Sequence, residues 1–336
     1  MTEIIRSRAP LRIGVAGGGT DVDPYATEKG GYVFNTTINR YAHCTLIPRS
    51  DKIMNVESRY YGRYTGLLGN RPFKLDGNMD LIKAVANHFE IKKGFDMVIH
   101  SDVPSGSGLG GSSTMIVAMI SAIANWTGHN LSKYDMAKLA YCLEREDVGL
   151  AGGHQDQYAA VFGGFNYLEM GKDKIEVKPV KIHEDTINEL QYRSVLCYTK
   201  TTRESANMIE AQKESTQKGT NEEALNASKV LAKEIGKALE KGDIDTAGRK
   251  LDDAWGYKKQ FSDKVSNEQI DELYEIAKKN GAVGGKISGA GGGGFMYFIC
   301  EYDKKPAVSE ALKDAGGELT DFMFEPKGVT TWKYNN

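Results

Sequence analysis

Runs of Val, Ile, Tyr and Thr broken by glycine clusters occupy residues 11–16 and 32–48, a pattern that predicts strands. Residues 80–90 (DLIKAVANHFE) instead place Leu81, Val85 and Phe89 at fourfold spacing, which predicts a helix with one buried stripe. FDMVIHS at 95–101 reads as a short strand leading straight into a glycine-rich stretch. Beyond it Met115, Met119, Ile120 and Ile123 fall on one helical face. Ser132 and Asp135 form a capping-box-like start for a helix running to about Asp147. The second half reads as helical between about 203 and 280, with an apolar stripe at Ile270, Leu273, Ile276 and Ala277. Strands return at 193–199, 294–300 and 319–325. The polar run 213–223 is expected to be a mobile loop or an exposed inter-helix turn. No internal repeat and no Pro/Gly/Ser linker interrupts this mixed α/β order.

Composition narrows the setting. At 336 residues the chain is long enough for two packed domains. The N-terminus lacks the apolar core of a signal peptide. The longest apolar stretch, Met115–Trp126, is broken by Ser121 and Asn125 and falls short of the ~20 residues that span a bilayer. A soluble, cytoplasmic protein without a membrane partner is expected. The formal net charge of −2 provides no polycationic face, so nucleic acid is not the expected partner. Cys44, Cys142, Cys197 and Cys300 lie far apart without metal-ligand spacing, as reduced thiols would.

Candidate chemistry lies in three glycine-rich segments. The first, Pro104-Ser105-Gly106-Ser107-Gly108-Leu109-Gly110-Gly111-Ser112-Ser113, joins a strand to a helix. Glycines let backbone N–H groups turn inward around an anion, and the helix start adds free N–H groups and a positive dipole end. The segment reads as a phosphate cradle more than as a flexible linker, since few linkers sit directly between a strand and an apolar helix. It is not a Walker A loop, because no GK[ST] follows, and it lacks the downstream acidic residue of a dinucleotide fingerprint. The second segment carries Arg12 on a strand that ends in Gly17-Gly18-Gly19-Thr20-Asp21. The turn presents a hydroxyl and a carboxylate suited to sugar hydroxyls, with capping of a helix from about Val22 as the equal alternative for Asp21. The third, Gly284–Phe295, holds seven glycines in the eleven residues before Phe295 and so suggests close approach of backbone to a ligand, Gly289 and Gly291 included. Glu144 and Asp156 flank a further glycine turn. His154 beside it has a mild claim as a base.

In this order the segments resemble the GHMP kinase superfamily, over Ala9 to Phe295. The resemblance implies two α/β domains, an N-terminal one like ribosomal protein S5 domain 2 (1–190) and a ferredoxin-like C-terminal one (191–336). It implies ATP and Mg²⁺ as cofactors. Pro104, Gly106, Ser107, Gly108, Leu109, Gly110, Gly111, Ser112 and Ser113 would bind ATP. Ser112, or its neighbour Ser113, would hold Mg²⁺ together with Glu144. Asp156 would accept the acceptor's proton, paired with Arg12. Gly111 stands where relatives commonly have a serine.

The first motif departs from galactokinases, which read GEHTD where this chain reads Gly17–Asp21 as GGGTD. Glycines in place of Glu and His argue against galactose and resemble the heptose-phosphate kinase branch; fucokinase-like enzymes carry a related GGWTD. The resemblance implies a 1-kinase acting on D-glycero-D-manno-heptose 7-phosphate. A kinase for another sugar, or a regulator that binds sugar and ATP without turnover, are the alternatives. Gly18, Gly19, Thr20, Asp21, Gly289 and Gly291 would face the sugar, and Arg203 or Arg40 its phosphate. The oligomeric state stays open, a homodimer included.

Overall fold

The computed structural model describes residues 3–60, 62–171, 174–202 and 205–335. Two sheets organise the chain. In order, the elements of the first half are β1 (Glu3–Ala16), α1 (Tyr25–Lys29), β2 (Gly31–Pro48), β3 (Ile53–Ser58), β4 (Gly62–Leu67), α2 (Asp80–His88), β5 (Phe95–Ser101) and α3 (Gly111–Thr127). There follow α4 (Lys133–Tyr141), a π-helical turn at Cys142–Asp147, α5 (Gln155–Phe162), β6 (Phe165–Met170) and β7 (Ile175–Pro179). The second half comprises α6 (Glu184–Arg193), β8 (Ser194–Tyr198), α7 (Ser205–Gln217), α8 (Glu222–Glu240), α9 (Ile244–Lys258) and α10 (Glu268–Lys279). It closes with β9 (Ala282–Ile287), β10 (Phe295–Cys300), α11 (Lys305–Asp314), β11 (Glu318–Leu319) and β12 (Thr330–Asn335).

The first sheet runs β12-β1-β2-β5-β3-β4, with β6 and β7 continuing from the other end of the long β2. Among the described residues only the β3–β5 pairing is parallel. α3 packs on this sheet, and Val117, Ile120 and Ile123 are fully buried against Ile5, Leu46 and Phe95. At roughly 25 cal/mol per Å² such apolar burial is the main stabilising term. The second sheet runs β11-β8-β10-β9, the 4-1-3-2 antiparallel order of a ferredoxin-like domain. A separate core joins the two sheets: Leu11, Ile13 and Phe34 of the first meet Leu231 and Ile235 of α8 and Phe295 of β10. Packing of that kind holds the facing ends of β1 and β10 in fixed relation, which the site needs. The closing strand β12 returns to pair with β1, so the first sheet contains residues from both chain ends.

Three expected elements differ. The strand expected at 319–325 is reduced to Glu318–Leu319, because the chain then leaves β8 and only Phe324 bridges back, to Ile38. The polar run 213–223 is helical through Gln217, and only the next four residues turn before α8. No helix starts at Val22; α1 starts at Tyr25 with Pro24 as its N-cap, so Asp21 does not cap it. Ser132 does cap α4, its hydroxyl accepting from Asp135 N–H at 3.1 Å. No helix among the described residues is long and apolar enough to cross a membrane.

Candidate active site

β1 is bulged between Pro10 and Arg12 and again between Gly14 and Ala16. Bulges re-aim side chains at the end of a strand, and Arg12 between them turns its guanidinium inward, 3% exposed. Its Nε and Nη2 both reach Asp156 Oδ1 at 2.6 Å, while Nη1 donates to Gly108 O at 2.7 Å and to Ser288 Oγ at 3.2 Å. One arginine thus ties together β1, the phosphate loop, the third glycine segment and α5. Among the described residues Asp156 Oδ2 accepts no hydrogen bond. It lies beside Gly110, whose Cβ, if present, would stand 3.2 Å away.

The first and third glycine segments pack back to back. A Cβ on Gly108 would approach Ser288 O at 2.5 Å, and one on Gly289 would approach Gly108 O at 2.6 Å. Both glycines also have φ near +75°, a region that side chains resist. Phe295 N–H donates to Ser107 O at 3.0 Å and Arg12 N–H to Leu109 O at 3.2 Å, so the loop is held at both ends. α3 begins at Gly111 with no side-chain cap, which leaves its first N–H groups for an anion.

A cavity of about 680 Å³ opens between these segments. From the phosphate loop it is lined by Gly106, Ser107, Gly108, Gly110, Gly111, Ser112 and Ser113, and from β1 and the following turn by Arg12, Gly18, Gly19 and Asp21. Glu144, Asp156 and Gly289 complete the expected set on its wall. Pro104, Leu109, Thr20 and Gly291 are not on it. Leu109 is fully buried in the core between the sheets. Thr20 closes its own turn, donating to Gly17 O at 2.7 Å and accepting from Tyr32 N–H at 3.0 Å. Gly291 instead abuts Val265. Arg203 falls outside the described residues. Arg40 points elsewhere and donates to the Asp321 carbonyl. His154 is stacked on Tyr141 at 3.8 Å, and burial holds it below the ordinary histidine range.

Asp21 is buried and its carboxylate is partnered: Oδ1 accepts from Gly19 N–H at 2.9 Å, and Oδ2 from Gln155 N–H at 3.2 Å, at the start of α5. It therefore joins the glycine turn to the helix bearing Asp156. Glu144 is wholly buried on the π-helical turn. Its Oε2 accepts from Gln157 Nε2 at 2.7 Å, while Oε1 has no hydrogen bond and only a 3.4 Å ion contact with Arg145 Nη1. A buried carboxylate oxygen without a donor fits a hard cation. Ser113 Oγ already accepts from Arg145 Nη2 at 3.0 Å and Gln157 Nε2 at 3.3 Å, which leaves Ser112 as the better free hydroxyl beside it. Ser107 Oγ, buried and unpartnered, fits a phosphate oxygen.

Two full-length similarities bear on this geometry. The chain is 43% identical over 98% of its length to the D-glycero-alpha-D-manno-heptose 7-phosphate kinase of Campylobacter jejuni, covering 99% of that protein. Residues 79–164 match the GHMP kinases N terminal domain and residues 236–318 the GHMP kinases C terminal domain. The chain belongs to the GHMP kinases. Within that family it superposes on a D-glycero-D-manno-heptose 1-phosphate kinase from Bacteroides thetaiotaomicron with a TM-score of 0.83, at 35% identity, covering 99% of this chain and all of that one. Lactococcus lactis galactokinase complexed with galactose shares the GHMP fold at a TM-score of 0.76 and 21% identity, over 97% of this chain and 95% of that one. As a GHMP kinase, the chain acts with ATP.

Among the residues on this GHMP kinase cavity that sequence reasoning missed are Arg145, Gln155, Gln212 and Lys258. Arg145 also donates Nη1 to Leu150 O and Ala151 O, at 3.2 and 3.3 Å, and a methyl on Gly152 would fall on its guanidinium. Gln212 donates to Gly19 O at 2.9 Å. Lys258 had a legible signal, for it continues the buried stripe of Leu251, Ala254 and Trp255, where an apolar residue is expected.

Proposed function

We propose that this kinase, acting in the cytoplasm, transfers the γ-phosphoryl group of ATP to the anomeric hydroxyl of a D-glycero-D-manno-heptose 7-phosphate, giving the 1,7-bisphosphate and ADP. The full-length similarity to a heptose 7-phosphate kinase carries the reading. Gly18 and Gly19, which leave the acceptor wall without side chains, support it. Asp156 Oδ2 takes the proton of the anomeric hydroxyl. That oxygen then forms its bond to the γ-phosphorus as the bond from phosphorus to the β-γ bridging oxygen breaks. An anomeric hydroxyl is more acidic than an ordinary alcohol, so a carboxylate suffices as base. Arg12 holds Asp156 in place and offsets charge beside the transferred group. Bound Mg²⁺, for which Ser112 and Glu144 are the fitting ligands, would neutralise and align the phosphates. The loop N–H groups and Ser107 position ATP. Phosphoryl transfer of this loose kind depends mainly on positioning and electrostatics.

ADP release across a panel of sugars and sugar phosphates tests this. Turnover confined to heptose 7-phosphate is expected. Preference for an unphosphorylated hexose such as fucose would favour the fucokinase-like alternative, and binding without turnover would make the chain a regulator.

A further inference from the structure

The acceptor of the proposed reaction carries a phosphate of its own, which needs a cationic partner. Arg40 is directed to Asp321 and does not line the cavity. We propose that Lys258, at the end of α9, is the residue that binds the acceptor's phosphate. The inference rests on the sugar-phosphate reading above.

Four observations converge on this lysine. It occupies a position where the helix pattern calls for an apolar side chain, and only 6% of it is exposed. A buried ammonium is costly unless it is paired. Among the described residues its only hydrogen-bond acceptor is Gly289 O at 2.6 Å. An ammonium has three N–H donors, so two are left. The side chain lines the same cavity as Gly18, Gly19, Arg12 and Asp156. Charged groups face it from three elements: Arg12 of β1 and Lys286 of β9 as like charges, and Asp21 of the glycine turn as the opposing carboxylate. Arg12 is already paired with Asp156. Lys286 does not line the cavity, and its Nζ donates to Gly14 O at 2.7 Å. Lys258 is therefore a cation on the cavity wall with N–H donors to spare. A phosphate dianion complements it in charge and in acceptor number. Burial first, and Arg12 second, push the lysine down to about 8, and a bound dianion would counter both effects.

The test compares kcat/KM for heptose 7-phosphate with that for the same heptose without its phosphate, in wild type, Lys258→Gln and Lys258→Arg. Loss of a charge-assisted contact predicts that the preference for the phosphorylated acceptor falls roughly ten- to a hundredfold in K258Q. K258R should retain most of it. Equal losses on both acceptors, with the preference unchanged, would mean that Lys258 only supports Gly289 and would overturn the proposal. Thermal melting and the KM for ATP report folding. Should K258Q not fold, K258R decides the matter: wild-type kcat/KM for the phosphorylated acceptor should break near pH 8 and that of K258R should not, whereas a break persisting in K258R sinks the idea. A wild-type enzyme indifferent to the acceptor phosphate would instead refute the sugar-phosphate reading, whatever the variants do.

Discussion

Replacing Asp156 separates its chemistry from its structural contribution. In Asp156→Asn the amide oxygen can still accept from Arg12 Nε and Nη2, both of which reach Oδ1 at 2.6 Å. The geometry is kept while the proton acceptor is removed. Losing a positioned general base costs about 10²–10⁴ in kcat, equivalent to roughly 2.7–5.5 kcal/mol of barrier. Asp156→Ala loses the same chemistry and also strips the buried guanidinium of its carboxylate. Breaking a fully buried pair costs about 3–5 kcal/mol. Here the Asp156 side chain is 18% exposed and Arg12 keeps Gly108 O and Ser288 Oγ, so a lower figure of about 1–3 kcal/mol applies. At about 2 °C per kcal/mol for a chain of this size, D156A should melt some 2–6 °C lower and D156N within about 2 °C of wild type. Both should be almost inactive. Coupled-enzyme measurement of ADP gives kcat, and thermal unfolding without ligand gives the stability. D156N retaining more than about a third of wild-type kcat would refute the assignment of Asp156 as base.

Glu144→Gln should raise the Mg²⁺ concentration for half-maximal rate about tenfold or more, since one anionic ligand is lost; an unchanged Mg²⁺ titration would remove Glu144 from the metal site. Gly152→Ala places a methyl on the Arg145 guanidinium and should cost about 1–3 kcal/mol of stability. Adding Arg145→Ala should then recover part of that loss, and strictly additive stabilities in the double variant would show that the two do not touch. With Lys258 lowered to about 8 from its ordinary 10.5, the unfolded chain holds more protons between those values. The lysine's contribution to stability therefore rises with pH across that window, while acceptor kcat/KM falls as the ammonium deprotonates. An acceptor kcat/KM flat from pH 7 to 9.5 would contradict that titration.

Much of this was readable in the chain, for identifiable physical reasons. α3 and the phosphate loop show themselves locally, through a glycine run between a short strand and an apolar helix. Arg12, Glu144 and Asp156 are assigned by their place in ordered motifs, and they meet at one cavity because bulged β1 and the paired glycine segments bring them there. Asp21 and Thr20 read alike in sequence, but their surroundings differ. Thr20 bonds to Gly17 and to Tyr32 at the start of β2, whereas Asp21 is tied to Gln155, 134 residues away. No local pattern encodes that contact. Arg145 was hidden similarly, since its partners include Ser113, two elements earlier. The strand expected at 319–325 shrank to its first residue because apolar composition there mostly reflects packing of Phe322 and Phe324 on the inter-sheet core, with a single bridge at Phe324.

Initial rates of ADP release with heptose 7-phosphate and with heptose 1-phosphate as sole acceptors test the central claim most directly. A kinase whose Asp156 deprotonates the anomeric hydroxyl must turn over the 7-phosphate, where that hydroxyl is free, and leave the 1-phosphate untouched. Turnover of the 1-phosphate in preference to the 7-phosphate would contradict the account.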